Sequence, residues 1–329
     1  MSSSRFNLVF IAQSGRLQAE AVLLMASLEA AEPERSYRVI VAEPEAGPLW
    51  PGDPGIDDPE IRAFLARAGA ETLRFPSRVF GAAYPYGNKI EVLAHLPEGE
   101  PFLFLDTDTL ILGPLSEVPF DFDRPAASLR RSDTWPKPRP GGPDRAAIWG
   151  ALYRRFGLDF AASLDRTRPE EDWQRYLYFN AGFFYGRCPR EFGALFLQFA
   201  RAIRDDPPPE LAGQKLDPWL DQVALPLVIH ALGGGRDALE PGWLDGRTTL
   251  HYRALPLLYA RESDEVVARL ESLTAPNRVK KLLKRYRPFH RLIYRGDGAR
   301  IRALFDRDSL PAEERVIRRR IRAAGLWLR

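Results

Sequence analysis

The chain of 329 residues is 45% apolar, 28% charged and 11% aromatic, an ordinary globular composition with enough material for one large core and an appendage, and long enough for an enzyme. Its formal net charge is only +3, from 47 Lys and Arg against 44 Asp and Glu, so gross charge marks neither a polyanion binder nor a disordered acidic segment. The one cysteine, Cys188, excludes a disulfide framework and a Cys-rich zinc site, and no apolar run approaches the roughly 20 residues of a spanning helix, so the expectation is a soluble, cytoplasmic protein.

Residues 6–12 form a compact apolar run, Gln13, Ser14 and Gly15 break it, residues 17–28 carry apolar side chains at helical spacing, and residues 37–42 (YRVIVA) read as a second strand. Such a unit buries its strands on both faces and favours a parallel sheet with ligands at the carboxyl ends of the strands. Residues 13–16 are therefore a candidate ligand loop. A Pro, Gly and Asp-rich loop over 44–59, a helix over 60–68, a short strand over 72–75 and a helix over 86–96 follow. The unbroken run 102–105 (FLFL) predicts a buried central strand. Residues 130–144, with four prolines and two adjacent glycines, predict a mobile loop or lid, whose Trp135 either stacks on a bound ligand or anchors the loop. A strand over 178–186, a helix over 189–203, a Pro-rich break at 207–209, a helix over 218–232 and a short strand over 248–252 complete the α/β pattern, without an internal repeat. Beyond about Leu257 the chain reads as helical segments dense in arginine. Residues 276–329 hold 17 Lys and Arg against 5 Asp and Glu, leaving 30 against 39 elsewhere: an acidic body with a basic tail.

The sequence 102–112 reads FLFLDTDTLIL. A buried carboxylate costs several kcal/mol unless it is compensated, so Asp106 and Asp108, set two residues apart between apolar runs, need a reason. Residues i and i+2 of an extended segment project to one side, and paired carboxylates suit Mg²⁺ or Mn²⁺, which keep open positions for phosphate oxygens. A turn in which both side chains bond local amides is the alternative.

This segment resembles the D-x-D segment of GT-A fold glycosyltransferases, and residues 178–184 (YFNAGFF) resemble the segment that follows it in those related to glycosyltransferase family 8. Asn88-Lys89-Ile90, Leu220-Asp221-Gln222 and Leu250-His251-Tyr252 fall in the same order, so the resemblance covers roughly residues 5–255. It implies a GT-A fold, a mostly parallel mixed sheet flanked by helices, with the catalytic domain over 1–260, and it leaves unexplained the basic helical extension read from composition over 261–329. It implies Mn²⁺ or Mg²⁺ held by Asp106, Asp108 and His251, a sugar pocket lined by Asn180, Ala181 and Gly182, and Asp221 and Gln222 beside the transferred sugar. Asn88, Lys89 and Thr107 fall with the donor-binding residues, Lys89 stabilising the leaving phosphate, and Ala12 and Gln13 lie beside the nucleotide base. The expected reaction moves a sugar from a nucleotide sugar, UDP-linked by preference, to a glycan or glycolipid, with retention. Around the late histidine the family carries a longer signature with Gly and Lys, where this chain reads HYRALP, and Arg253 is the candidate for the missing positive charge.

Two alternatives remain at this level. A sugar nucleotidyltransferase would use the same paired carboxylates, but residues 12–21 (AQSGRLQAEA) lack its repeated glycines. A non-enzymatic adaptor would act through residues 276–329, whose arginines interleaved with Leu326, Trp327 and Leu328 suit an anionic membrane surface, peripheral on its inner face. No nucleic-acid readout motif is present, and none is expected to bind specifically.

Overall fold

Two apolar layers sandwich the central strands, and the period of two along each strand supplies both layers at once. In the computed structural model, which describes residues 6–130 and 134–328, the strands are β1 (Asn7–Ile11), β2 (Arg38–Pro44), β3 (Ala70–Phe75), β4 (Phe102–Leu105), β5 (Thr109–Ile111), β6 (Ala127–Ser128), β7 (Asn180–Gly186) and β8 (Thr249–His251). Leu8, Phe10, Val39, Val41, Leu103 and Leu105 enter one core, while Val9, Ile11, Ile40, Phe102 and Phe104 enter the other. At about 1.5–3 kcal/mol per buried large apolar side chain, such strands are stable only when covered on both faces.

Six strands form one sheet in the order β3-β2-β1-β4-β7-β6, and β5 pairs with β8 in a small second sheet. β1 runs parallel to β2 and β4, and β2 to β3, whereas β7 is antiparallel to both β4 and β6. The first layer holds α1 (Arg16–Ala31) and α2 (Pro59–Arg67); the second holds α3 (Asn88–Glu91), α4 (Arg145–Arg155), α5 (Pro189–Asp205) and α6 (Leu220–Ala231).

The helix expected over 86–96 is instead one α-turn, α3, between two 3₁₀ segments. The Glu91 carboxylate is spent outside the helix, accepting from the Ser77 hydroxyl at 3.0 Å and the Val79 and Phe80 amides at 3.0 Å each. Nothing in the sequence reading anticipated β5, β6 or α4. The Pro-rich loop is anchored rather than free over residues 134–144: Trp135 is buried edge-on against Trp149, its Nε1 donates to Lys215 O at 3.1 Å, and Lys137 and Gln214 exchange two hydrogen bonds. Trp135 is thus the anchor of the loop and offers no sugar platform. Residues 131–133 of that stretch lie outside the described residues.

The arginine-rich region forms α7 (Leu255–Arg261), α8 (Asp264–Thr274), α9 (Asn277–Leu283), α10 (Arg287–Tyr294), α11 (Asp297–Arg302) and α12 (Glu314–Ala323). Val279, Leu282, Leu283, Phe289, Ile301, Ile317 and Leu326 join the same core as α1. Trp327 and Leu328 pack on that core too, Trp327 beneath the Arg318 and Arg322 guanidinium groups, so the terminal apolar residues face inward. Several arginines face acids of the body: Arg285 holds Asp58, the N-cap of α2, at 2.6 Å, and Arg278 holds Glu29 at 2.7 Å. No helix among the described residues is long and apolar enough to cross a membrane.

The tightest of these links is Glu314, 7% exposed, which accepts from Arg253, from Arg261 at 2.6 Å and from Arg318 Nε at 2.8 Å. Burial, opposed by Glu314, pulls the Arg253 guanidinium down to about 10. Removing the one carboxylate leaves three cations facing each other in a poorly hydrated place. Glu314→Ala is expected to lose about 3 kcal/mol in denaturant unfolding and to raise hydrogen exchange over residues 314–328 first. Unchanged exchange there would show that α12 does not depend on this cluster.

Candidate active site at the end of the central strand

β4 leaves the sheet through Asp106, Thr107 and Asp108 before the chain pairs again as β5. The Thr107 hydroxyl donates to Ile11 O at 2.6 Å, binding the strand end to β1, and the Asp106 amide donates to Gly182 O at 2.8 Å, binding it to β7. Thr107 therefore spends its hydroxyl inside the fold, while the side chains on either side of it share the opposite direction.

His251 arrives from β8, whose pairing with β5 sets it opposite Thr109, and the Tyr252 amide donates to Asp108 O at 3.0 Å. Its Nε2 lies 3.1 Å from Asp108 Oδ1 and 3.8 Å from Asp106 Oδ2. One ligand atom from each of Asp106, Asp108 and His251 falls within 4.8 Å of the others. Gly182 makes room for this: a Cβ there would stand 2.1 Å from His251 Nδ1 and 2.8 Å from Asn180 Oδ1. Two carboxylates and an imidazole, converging over a glycine cradle, fit a divalent cation with open positions.

Lys89, 6% exposed, lies behind the carboxylates. Its ammonium is ringed by Asp106 Oδ1 at 2.7 Å, Ala181 O at 3.0 Å and Asp221 Oδ2 at 3.4 Å. Burial works against its charge, but Asp106 and then Asp221 outweigh it and hold it above the ordinary lysine value. Since the folded value exceeds the unfolded one, the stabilisation is complete below the unfolded value of 10.5 and disappears only as pH rises through the folded one.

Asp221, in the first turn of α6, is 2% exposed, and burial pushes its carboxyl up against the pull of Lys89. The Tyr84 hydroxyl accepts from the Asp221 amide and donates to its Oδ1, both at 3.0 Å. Gln222, half-buried, accepts at Oε1 from the Tyr178 hydroxyl at 2.9 Å. Asn180 Oδ1 accepts from the Gly182 amide at 2.9 Å, closing the turn before Phe183.

A cavity of about 250 Å³ opens beside the carboxylates, lined by Gln13, Arg16, Asn88, Lys89, Asp106 and Asp108 among others. Asn88 is 1% exposed, with Nδ2 3.4 Å from Gln13 Oε1 and its Oδ1 unpartnered. Ala12 is fully buried, its amide bonded to Ala42 O, and does not line the cavity; nor do Asn180, Ala181, Gly182, Asp221, Gln222 and His251. Arg16, in the first turn of α1, closes the 13–16 loop that the sequence offers as a ligand loop but is given no role of its own there, and Tyr84 and Tyr178 are not singled out. The signal for Arg16 is a cation at the helix end where the dipole disfavours it; the tyrosines act over 137 and 44 residues of sequence, and no local pattern reports that.

A mixed sheet of this order, with a carboxylate pair where the central strand leaves it and a histidine returned to that pair by a late strand, is the plan of a GT-A glycosyltransferase. The family model of the Rhodobacterales glycosyltransferase domain matches residues 8–233, and the chain belongs to that family. Among solved structures, the galactosyltransferase LgtC, determined with donor and acceptor sugar analogues, is 14% identical with a TM-score of 0.45, covering 84% of this chain and 99% of its own. GlyE of Streptococcus pneumoniae is 13% identical with a TM-score of 0.45 over 88% of this chain and 65% of its own, and the bifunctional WbbM is 16% identical with 0.44 over 85% and 51%. A comparison with curated proteins finds no match.

Because the glycine at 182 is what admits the histidine ring, Gly182→Ala is expected to fold yet bind Mn²⁺ at least about tenfold more weakly, the loss of one well-placed ligand group. Titration followed by electron paramagnetic resonance reads this directly; wild-type affinity in the variant would remove His251 from the ligand set.

Proposed function

We propose that this glycosyltransferase takes its sugar from a nucleoside diphosphate sugar, UDP-linked by preference, and passes it with retention to a glycan or glycolipid acceptor, with Mn²⁺ or Mg²⁺ held by Asp106, Asp108 and His251. The observation that carries the reading is the convergence of those three ligand groups beside the cavity. When bound, a divalent ion supplies Lewis-acid stabilisation to the departing diphosphate. The chain's own residues do the rest. Lys89 holds Asp106 in place through its 2.7 Å hydrogen bond. Asp221, locked by Tyr84 and Lys89, is the support of the site, and Gln222, whose carbonyl oxygen accepts from Tyr178, is the member of the pair we assign to the positive charge that develops at the anomeric carbon. The turn 180–182 backs the metal ligands, Gly182 admitting the His251 ring, and Gln13 lines the cavity on the base side. Membership of a glycosyltransferase family disfavours the nucleotidyltransferase and adaptor alternatives.

Calorimetry with a panel of nucleotide sugars tests this. With Mn²⁺, one nucleotide series should bind the wild type, and EDTA or Asp108→Ala should weaken it by about a hundredfold, the loss of a charged metal ligand. Folded wild type that binds no nucleotide sugar under any metal condition would overturn the reading.

For residues 276–329 the counterpart we propose is an anionic membrane surface met by charge alone, through solvent-facing Lys281, Lys284, Arg287, Arg295, Arg319, Arg320 and Arg322. Sedimentation with phosphatidylserine vesicles should then fall off steeply between 50 and 300 mM salt, as the screening length drops below about 6 Å. Salt-insensitive binding, or none at low salt, would exclude it.

A further inference from the structure

A departing diphosphate needs a cation with hydrogen-bond donors to spare, and Lys89 has none. Its ammonium carries three N–H groups and stands among three protein oxygens, 6% exposed. Arg253, the sequence candidate for the same task, is bonded to Glu314 on α12. Among the described residues lining the cavity beside the carboxylates, the only other cation is Arg16.

Arg16 has the features of a residue built for this task. Its Nη1 donates to both Glu20 oxygens, at 2.7 and 2.8 Å, and Glu20 is 1% exposed. That clamp fixes the guanidinium and leaves the Nε and Nη2 donors for a ligand, with the group 3.7 Å from Asp108 Oδ2. It stands in the first turn of a 16-residue helix, where the dipole opposes a cation. A second, more open cleft of about 540 Å³, walled by Trp50, Pro51 and Pro54, shares Gln13, Arg16, Leu17 and Pro85 with the carboxylate cavity. Arg16 therefore stands at the threshold between an outer cleft whose Trp50, Pro51 and Pro54 suit a flat base and the inner cavity that holds the carboxylates.

We infer that Arg16, held by Glu20, is the residue that binds the diphosphate of the donor, and that Lys89 serves the carboxylates instead. This rests on the nucleotide-sugar reading above. Planar, bidentate donation to phosphate oxygens is what a guanidinium does better than an ammonium.

The test compares wild type with R16Q/E20Q, which removes the cation without stranding a buried carboxylate, and with Arg16→Lys. The probes are UDP, GDP and ADP, their nucleosides and inorganic pyrophosphate, each titrated with Mn²⁺ present, with thermal melting to show that the variants are folded. We expect the nucleoside diphosphate that binds wild type, and pyrophosphate, to bind R16Q/E20Q about tenfold to a hundredfold more weakly. The parent nucleoside should bind both alike, Arg16→Lys should fall between, and Mn²⁺ alone should bind the variant no more weakly than wild type. Equal diphosphate affinity in folded R16Q/E20Q overturns the assignment while leaving the nucleotide reading intact. A matching loss in Mn²⁺ affinity overturns it too, because Arg16 would then act through Asp108. If no diphosphate binds the wild type, both fall together. Should R16Q/E20Q fail to fold, Arg16→Lys decides: unchanged diphosphate affinity there overturns the assignment, and a selective loss supports it.

Discussion

The charge balance around the end of β4 is the constraint on which the rest depends. Four acids, Glu20, Asp106, Asp108 and Asp221, are brought into a region between two apolar layers, and among the described residues Lys89 and Arg16 oppose them as permanent cations. Left unpaired, each would cost several kcal/mol. The pairing explains otherwise odd choices: a lysine with almost no exposure, an arginine at the unfavourable end of a helix, and a tyrosine whose hydroxyl both donates to and accepts from one aspartate. Among the described residues acid outnumbers base here, which makes the place attractive to a divalent ion. The neighbouring β-strands answer the constraint as well, since Thr107 and the Asp106 amide anchor the carboxylate segment to β1 and β7.

Much of this was readable from local pattern. The runs of residues 6–12, 37–42 and 102–105 are apolar without alternation because both faces of the strands are covered, and that alone predicts a parallel, doubly covered sheet. Asp106 and Asp108 stand out because two charges interrupt such a run. His251 depends on more: its place beside them comes from the pairing of β5 with β8, strands of three residues each, too short to announce themselves. Residues 86–96 show how local periodicity misleads, since Asn88, Lys89 and Glu91 all turn to tertiary partners and break the regular helix into turns. The Pro-rich loop misleads in the other direction. Its prolines forbid regular structure, but they do not forbid anchoring, and one indole against Trp149 supplies it.

The arginine-rich end illustrates the limit of composition. Its net charge is visible at a glance, yet charge counts do not say which side chains face inward. The apolar residues interleaved with the arginines extend the core over α1, and several of the arginines meet acids of the acidic body, as Arg278 meets Glu29 and Arg285 meets Asp58. The uneven distribution of charge along the chain is thus partly the two halves of one internal contact.

The link from α12 to the loop after His251 has a consequence for the way the molecule is made. About two hundred residues separate Asp108 from Glu314, and at a synthesis rate of roughly 5–20 residues per second that is on the order of ten to forty seconds. For roughly the first two thirds of that interval the carboxylate segment has emerged without its histidine, and throughout it the helix that clasps Arg253 does not yet exist. Lys89 and Arg16, both encoded upstream, are present from the start. The nascent chain therefore carries its own counter-ions, and the strand that holds the acids can be buried while the last third of the protein is still being translated.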